Sequence, residues 1–241
     1  MEFLKPQIFD EYPVLCGMSI KGDMLTFPPS GFSFRQLQHT DDEFRKHIAS
    51  MNQSIGPGIG KRIASLHQVH GTQIYDADID SLPDGDGLYT NNPDVVLGIA
   101  LADCCGIMIY DPIHTVIMAL HAGWRGAKNG IATKGIAILE SQFHAKPADL
   151  LIWLTPCAGN DIYEVGPEFL EYFPSFVIQK GATYILDLKA YIISELLKEG
   201  IQLQHIESST LCTIQDMRFH SYRREGNSGR NVAFMGFLGE K

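Results

Sequence analysis

Two apolar runs, Gly-Ile-Met-Ile-Tyr at 106–110 and Thr-Val-Ile-Met-Ala-Leu at 115–120, are separated by Asp-Pro-Ile-His at 111–114. Neither run alternates polar with apolar residues. Such runs read as strands buried on both faces rather than half-wetted ones. Asp-Pro is a turn signal, because proline fixes φ and cannot donate to a ladder. The pair therefore reads as a hairpin. A turn centred between Pro112 and Ile113 would set Cys104 directly opposite His121. Opposed residues of an antiparallel pair lie about 4.5–5.5 Å apart at Cα, close enough to share an ion.

The flanking pattern mixes strands and helices. Residues 62–71 and 72–78 read as strands around a turn at Gly71, and 94–105 as another buried strand. Residues 40–56 form an early helix with Thr40 or Asp41 as cap, and 128–146 an amphipathic one. Residues 148–156 read as another buried strand, and 186–200 as a helix capped by Asp187 and stopped by Gly200. Residues 231–238 close the set as a strand. Several strands follow one another directly, which excludes simple β-α-β alternation. The expectation is an α+β fold, with mixed sheets in a sandwich flanked by helices, as a single catalytic domain over 1–241.

A chain of 241 residues, 45% of them apolar, can bury a sizeable core. Its net charge of −9 argues against a nucleic-acid partner. The five cysteines, Cys16, Cys104, Cys105, Cys157 and Cys212, are an odd number in a chain too long for a disulfide scaffold. There is no signal-peptide pattern and no apolar run long enough to span a bilayer. The reading is a cytoplasmic protein with reduced thiols and no membrane partner, a monomer or weak homo-oligomer.

The polar residues at the hairpin's open end carry the chemistry. Cys104 and His121 are natural zinc donors, and the His-Gln-Val-His segment offers His67 or His70 as a third. Three protein ligands with an open position is the catalytic rather than the structural pattern. The same pair also suits a cysteine hydrolase, with Cys104 as thiolate nucleophile and His121 as base. Cys105 faces the other way along the strand and reads as a packed thiol.

Six stretches in order then match a known pattern: HQVHGTQI, DGLYT, ALADCCGIMIYD, ALHAGWRGAKNGI, PCAGNDIYEVG and CTIQDMRFHSYRREGNSGRNVAFMGF. Over residues 62–238 the chain resembles the YfiH-like family, also called the polyphenol oxidase or laccase-domain family. The resemblance implies a metal site of His70, Cys104 and His121, holding zinc rather than copper. Two histidines and one cysteine cannot furnish a multicopper cluster. It implies a sandwich related to the catalytic domain of a deamidating bacterial toxin. The implied activities are phosphorolysis of adenosine, inosine, guanosine and methylthioadenosine, and hydrolytic deamination of adenosine. Some bacterial members are linked to editing of peptidoglycan precursors. The N-terminal part departs from the family pattern: Gly17-Met18-Ser19 is kept, but the Asn-containing element after it is not.

That chemistry needs proton carriers and an anion site. Asp86 and Asp103 are the candidate acid–base residues, with Glu164 behind them. The glycines around Asp84 and Asp86 also suit a turn. Arg125, Arg223 and Arg230 are the candidate phosphate and nucleoside contacts, with Arg224 a further possibility, because guanidinium forks match phosphate. Arg125 also carries a catalytic assignment. Trp124 reads as core cover, His67 and His220 as non-ligands, and Gly123 and Gly126 as residues that permit a tight turn.

Overall fold

The computed structural model describes residues 1–22, 31–34, 41–55, 62–79, 81–226 and 229–239. The strands are β1 (Phe3–Leu4), β2 (Val14–Ser19), β3 (Arg62–Ala64), β4 (Ile74–Asp76), β5 (Gly87–Thr90), β6 (Val95–Leu101), β7 (Cys105–Asp111), β8 (Val116–Ala122), β9 (Leu151–Leu154), β10 (Glu164–Val165), β11 (Val177–Lys180), β12 (Thr183–Leu186), β13 (Ile206–Ser208) and β14 (Asn231–Phe237). The helices are α1 (Asp41–Ile55), α2 (Trp124–Lys128), α3 (Ile131–Phe143), α4 (Phe169–Tyr172), α5 (Leu188–Lys198) and α6 (Tyr222–Glu225).

Two large sheets form the body. One runs β1-β2-β14-β6-β3 and the other β13-β9-β7-β8-β5-β4; a small sheet runs β10-β12-β11. Both large sheets are mixed: β3 pairs parallel to β6, β4 to β5 and β13 to β9, while the other pairs are antiparallel. Cys16, Met18, Leu97, Ile99 and Met235 of the first sheet meet Met108, Tyr110, Ile117, Ala119 and Trp153 of the second in one core. On the second sheet's other face, Ile107, Ile109, Met118 and Leu120 pack under Ile131, Ile136 and Leu139 of α3 and Ile192 and Leu196 of α5. On the first sheet's other face, Met51 and Ile55 of α1 pack with Val96, Val232 and Phe234. Every residue of β7 and β8 is buried, which is why neither run carries an alternating polar face. The expected α+β sandwich flanked by helices is the architecture found. No helix among the described residues is long and apolar enough to cross a membrane.

The hairpin register differs from the sequence expectation. Gly106 rather than Cys104 pairs with His121, Cys105 pairs with Ala122, and Asp111 pairs with Val116. The turn is Pro112–Thr115, one position further along than expected. Asp111 sets it, its Oδ1 accepting from the backbone N–H of Ile113 (2.9 Å) and His114 (3.2 Å). Thr115 closes it with a φ of 54°. The shift is two residues, so side-chain facing is unchanged. Cys104 sits just before β7, diagonal to His121 on the same face.

Two expected strands are shorter. Residues 65–69 have no regular structure, and His70 takes a φ of 60°. The strand before Cys104 stops at Leu101, and Asp103 takes a φ of 81°. The 128–146 helix begins only at Ile131, because Gly130 at φ 80° breaks α2 from α3. The cap of α5 is as expected, with Asp187 accepting from Ala190 N at 2.9 Å. The cap of α1 lies outside the described residues.

Candidate metal centre

His70, Cys104 and His121 come from three separate stretches and meet at one end of the sandwich. Their donor atoms all lie within 4.8 Å of one another. Among the described residues no other such group of three exists. The imidazole rings of His70 and His121 are edge-on, 4.8 Å between centroids at 74°. His70 is exposed, Cys104 half-buried and His121 buried, so the group has a dry floor and an open side. Burial alone would raise the Cys104 thiol, but His121 and His70 override it and bring it down to about 6. Burial would lower His121, but the charge on Cys104 and the Asp86 carboxylate raise it to about 9.

Asp86 organises the group from behind. It is fully buried. Its Oδ1 lies 2.7 Å from His121 Nδ1 and accepts from His70 N at 2.9 Å. Its Oδ2 accepts from Gly71 N (2.6 Å) and Val69 N (3.3 Å). With Nδ1 committed to Asp86, the Nε2 of His121 is its free donor atom. Three successive N–H groups turned onto one carboxylate explain why 69–71 is a loop and not a strand. Burial would raise the Asp86 carboxyl, but these hydrogen bonds, with His121 foremost, hold it below the usual range.

Gly123 stands directly against the donors. A Cβ there would fall 2.9 Å from Cys104 Sγ and 3.1 Å from His70 Cδ2. A Cβ at Gly126 would fall 3.0 Å from the Gly71 carbonyl oxygen. Both glycines allow the start of α2 to pass this close, as their place in the sequence indicated.

Asp103 joins three chain segments. Its carboxylate accepts from Thr213 Oγ1 (2.7 Å), Ser221 Oγ (3.1 Å) and Arg223 N (2.7 Å), and its carbonyl from Ala158 N (3.0 Å). The sequence suggested Asp86 and Asp103 as proton carriers. In the structure both carboxylates face protein donors. Glu164 is exposed, and its carbonyl accepts from Arg223 Nη1 at 2.7 Å.

The arginines separate into two groups. Arg125 is exposed, with its guanidinium carbon 4.3 Å from the Trp124 ring centroid. Arg223 is exposed, 5.4 Å from the Tyr163 centroid. Among the described residues neither forms an ion pair. Arg224 is instead spent on scaffold, donating to the carbonyls of Thr213, Ile214 and Phe219. Arg230 lies at the start of β14, its N–H on Ser33 Oγ and its Nη1 on the Gly229 carbonyl.

Trp124 is half-buried against Phe169 (4.9 Å) and stacks on Tyr172 at 6.0 Å, supporting the core-cover reading. His67 pairs with Asp84 at 3.1 Å and lies outside the donor group. His220 donates from Nε2 to the Phe32 carbonyl at 2.8 Å. Cys105 and Cys157 are buried, their thiols donating to the carbonyls of Gly106 and Ala158 at 3.5 Å. The ring of Tyr163 lies beside Arg223 and packs against the helix-side core.

Comparison with known proteins places this geometry. Residues 34–238 match the family model described as multi-copper polyphenol oxidoreductase laccase. A purine nucleoside phosphorylase of Corynebacterium glutamicum is 33% identical over 217 residues, covering 83% of this chain and 85% of its own. The purine nucleoside phosphorylase YfiH of Escherichia coli K12 is 30% identical over 180 residues, covering 70% and 72%. Among solved structures, the hypothetical protein YfiH of Bacillus licheniformis superposes with a TM-score of 0.88 at 25% identity, over 98% of this chain and 96% of that one. YlmD of Geobacillus stearothermophilus gives 0.87 at 25% identity, over 99% and 97%. By fold, by the order of its motifs and by these matches, the chain belongs to the YfiH-like family of laccase-domain proteins.

Proposed function

We propose that this chain is a zinc-dependent purine nucleoside phosphorylase that also deaminates adenosine. The observation that carries the reading is the convergence of His70, Cys104 and His121 within 4.8 Å, braced by Asp86, in a chain whose relatives are named purine nucleoside phosphorylases. The donor set fits zinc: one sulfur, two ring nitrogens, a fixed tautomer on His121 and an open side. One such group of three is too small for a multicopper cluster; a single copper ion is the alternative occupant.

When bound, zinc with three protein ligands supplies a positive charge and lowers the pKa of water at its open position. The chain's own residues do the rest. Arg125 and Arg223, free of ion pairs and backed by aromatic rings, hold phosphate beside the sugar. Arg230 extends the substrate contacts. In phosphorolysis a phosphate oxygen bonds to C1′ as the C1′–N9 bond breaks, and the electron pair leaves with the purine. Asp86 is a positioning residue that fixes His121 and the 69–71 loop. Asp103 is a positioning residue that fixes the arm carrying Arg223. The substrates are the purine nucleosides adenosine, inosine, guanosine and methylthioadenosine, with phosphate as co-substrate.

A second reading has its own observation. Asp86 holds His121 Nδ1 at 2.7 Å, the donor atoms of His121 and Cys104 lie within 4.8 Å of each other, and the thiol is depressed to about 6. That is the arrangement of a cysteine hydrolase, with Cys104 attacking an amide such as a peptidoglycan precursor. A kinship with deamidating toxin domains belongs to this reading.

Metal analysis of purified wild type and Cys104→Ala, with inosine phosphorolysis assayed on the same samples, separates them. About one zinc per chain, lost in the variant together with phosphate-dependent hypoxanthine release, supports the phosphorylase. A metal-free wild type that cleaves an amide and is inactivated by alkylation overturns it.

A further inference from the structure

Two residues before the ligand His70, the side chain of Gln68 reaches the first sheet. Its Nε2 donates to the Ala100 carbonyl (2.9 Å), and its Oε1 accepts from Ala100 N (2.7 Å). Ala100 lies on β6, three residues past Leu97, the last that β3 pairs. The other edge of β6 is held by β14. The Gln68 amide therefore stands where the backbone of β3 would have continued. A carboxamide carries a donor and an acceptor on one planar group, so it can satisfy both polar groups of a strand residue, which a carboxylate cannot.

The N–H groups of the next three residues, Val69, His70 and Gly71, turn onto Asp86, the residue before β5 of the second sheet. One loop is thus tied to the first sheet by Gln68 and to the second by Asp86. His70 takes a φ of 60° within it. A left-handed conformation at a residue with a Cβ persists only where its surroundings over-determine it. Cys104 and His121, in contrast, stand just before β7 and on β8, both of the second sheet.

We propose that Gln68 is a positioning residue: its two bonds to Ala100 set where His70 stands relative to Cys104 and His121. This rests on the metal-site reading. Gln68 acts on metal binding through one ligand only, because the other two are placed by the second sheet.

The test is a double-mutant cycle on the full chain, read as zinc affinity by competition with a chelator. Gln68→Met keeps the length of the side chain and loses both bonds. In the wild-type background it weakens zinc binding by about 10-fold, within the range for outer partners of a ligand. In a His70→Ala background it changes affinity by less than about twofold, because the arm it places no longer carries a donor. Equal losses in both backgrounds overturn the proposal, as does an unchanged affinity in the first. Amide hydrogen exchange on the metal-free protein reads the same placement without zinc. In Gln68→Met the N–H groups of Val69, His70 and Gly71 exchange at least about 10-fold faster, while those of β7 and β8 keep their rates. Unchanged exchange at 69–71 overturns the proposal. A wild type that binds zinc no more tightly than His70→Ala sinks the metal reading itself, and exchange at 69–71 then decides whether Gln68 holds the loop. Should Gln68→Met not fold, Gln68→Glu keeps the shape and the bond from Ala100 N but sets a carboxylate against the Ala100 carbonyl, and the same cycle applies.

Discussion

Asp86 Oδ1 lies 2.7 Å from His121 Nδ1 and 2.9 Å from the backbone nitrogen of His70, so one oxygen holds two of the three donor residues. Asp86→Asn weakens this hold without emptying the volume. Removing such an outer partner of a ligand typically costs 10–100-fold in metal affinity. Competition with a chelator should show zinc bound that much more weakly by the variant. An affinity within threefold of wild type contradicts the bracing role.

The Cys104–His121 pair gives a pH window. The thiol is depressed to about 6 and the imidazole raised to about 9. The His121 contribution is complete below its ordinary value and is lost as pH rises through about 9. The Cys104 contribution is complete above its ordinary value and is lost as pH falls through about 6. Metal-free protein therefore holds the charged pair between about pH 6 and 9. Thiolate absorbance near 240 nm, corrected with Cys104→Ala, should rise with a midpoint near 6; a midpoint near 9 refutes the pairing.

Gly123→Ala inserts a methyl 2.9 Å from Cys104 Sγ. The neighbours it strikes are donor side chains that cannot yield without leaving their places. Zinc per chain should fall to less than about a tenth of wild type, with a change in stability of about 1–3 kcal/mol, the usual range for overpacking. Full metal content would show that the donors have room to spare.

Asp103→Asn keeps a residue type tolerant of a φ of 81° while weakening three hydrogen bonds. Loss of a buried acceptor costs about 1–3 kcal/mol. Because the bond to Arg223 N is among those weakened, KM for phosphate should rise several-fold while zinc content is unchanged. A loss of zinc with no change in KM would assign Asp103 to the metal site instead.

The hairpin shows where sequence reading succeeds and where it stops. Burial of β7 and β8 on both faces was legible because apolar runs without alternation have only one comfortable setting. The register was not, because Asp111 capping a four-residue turn looks in sequence like any Asp-Pro start. Facing survived the shift because strand periodicity is two, so Cys104 and His121 still meet. His70 was separable from His67 only by resemblance, since the left-handed φ that sets it apart comes from a carboxylate in a different segment. The hydrogen-bond roles of Asp86 and Asp103 were likewise invisible, because their partners lie in other parts of the chain.

The three donors are drawn from a loop, a strand entry and a strand end that come together only when the second sheet is built. An extended chain offers them at scattered distances, so an ion that needs all three binds the folded form and hardly the unfolded one. Binding of that kind stabilises by mass action, about 4 kcal/mol when the free ion stands at 1,000 times its dissociation constant. For an ion held by these three donors, supply would then also control how much of the chain survives heat or protease.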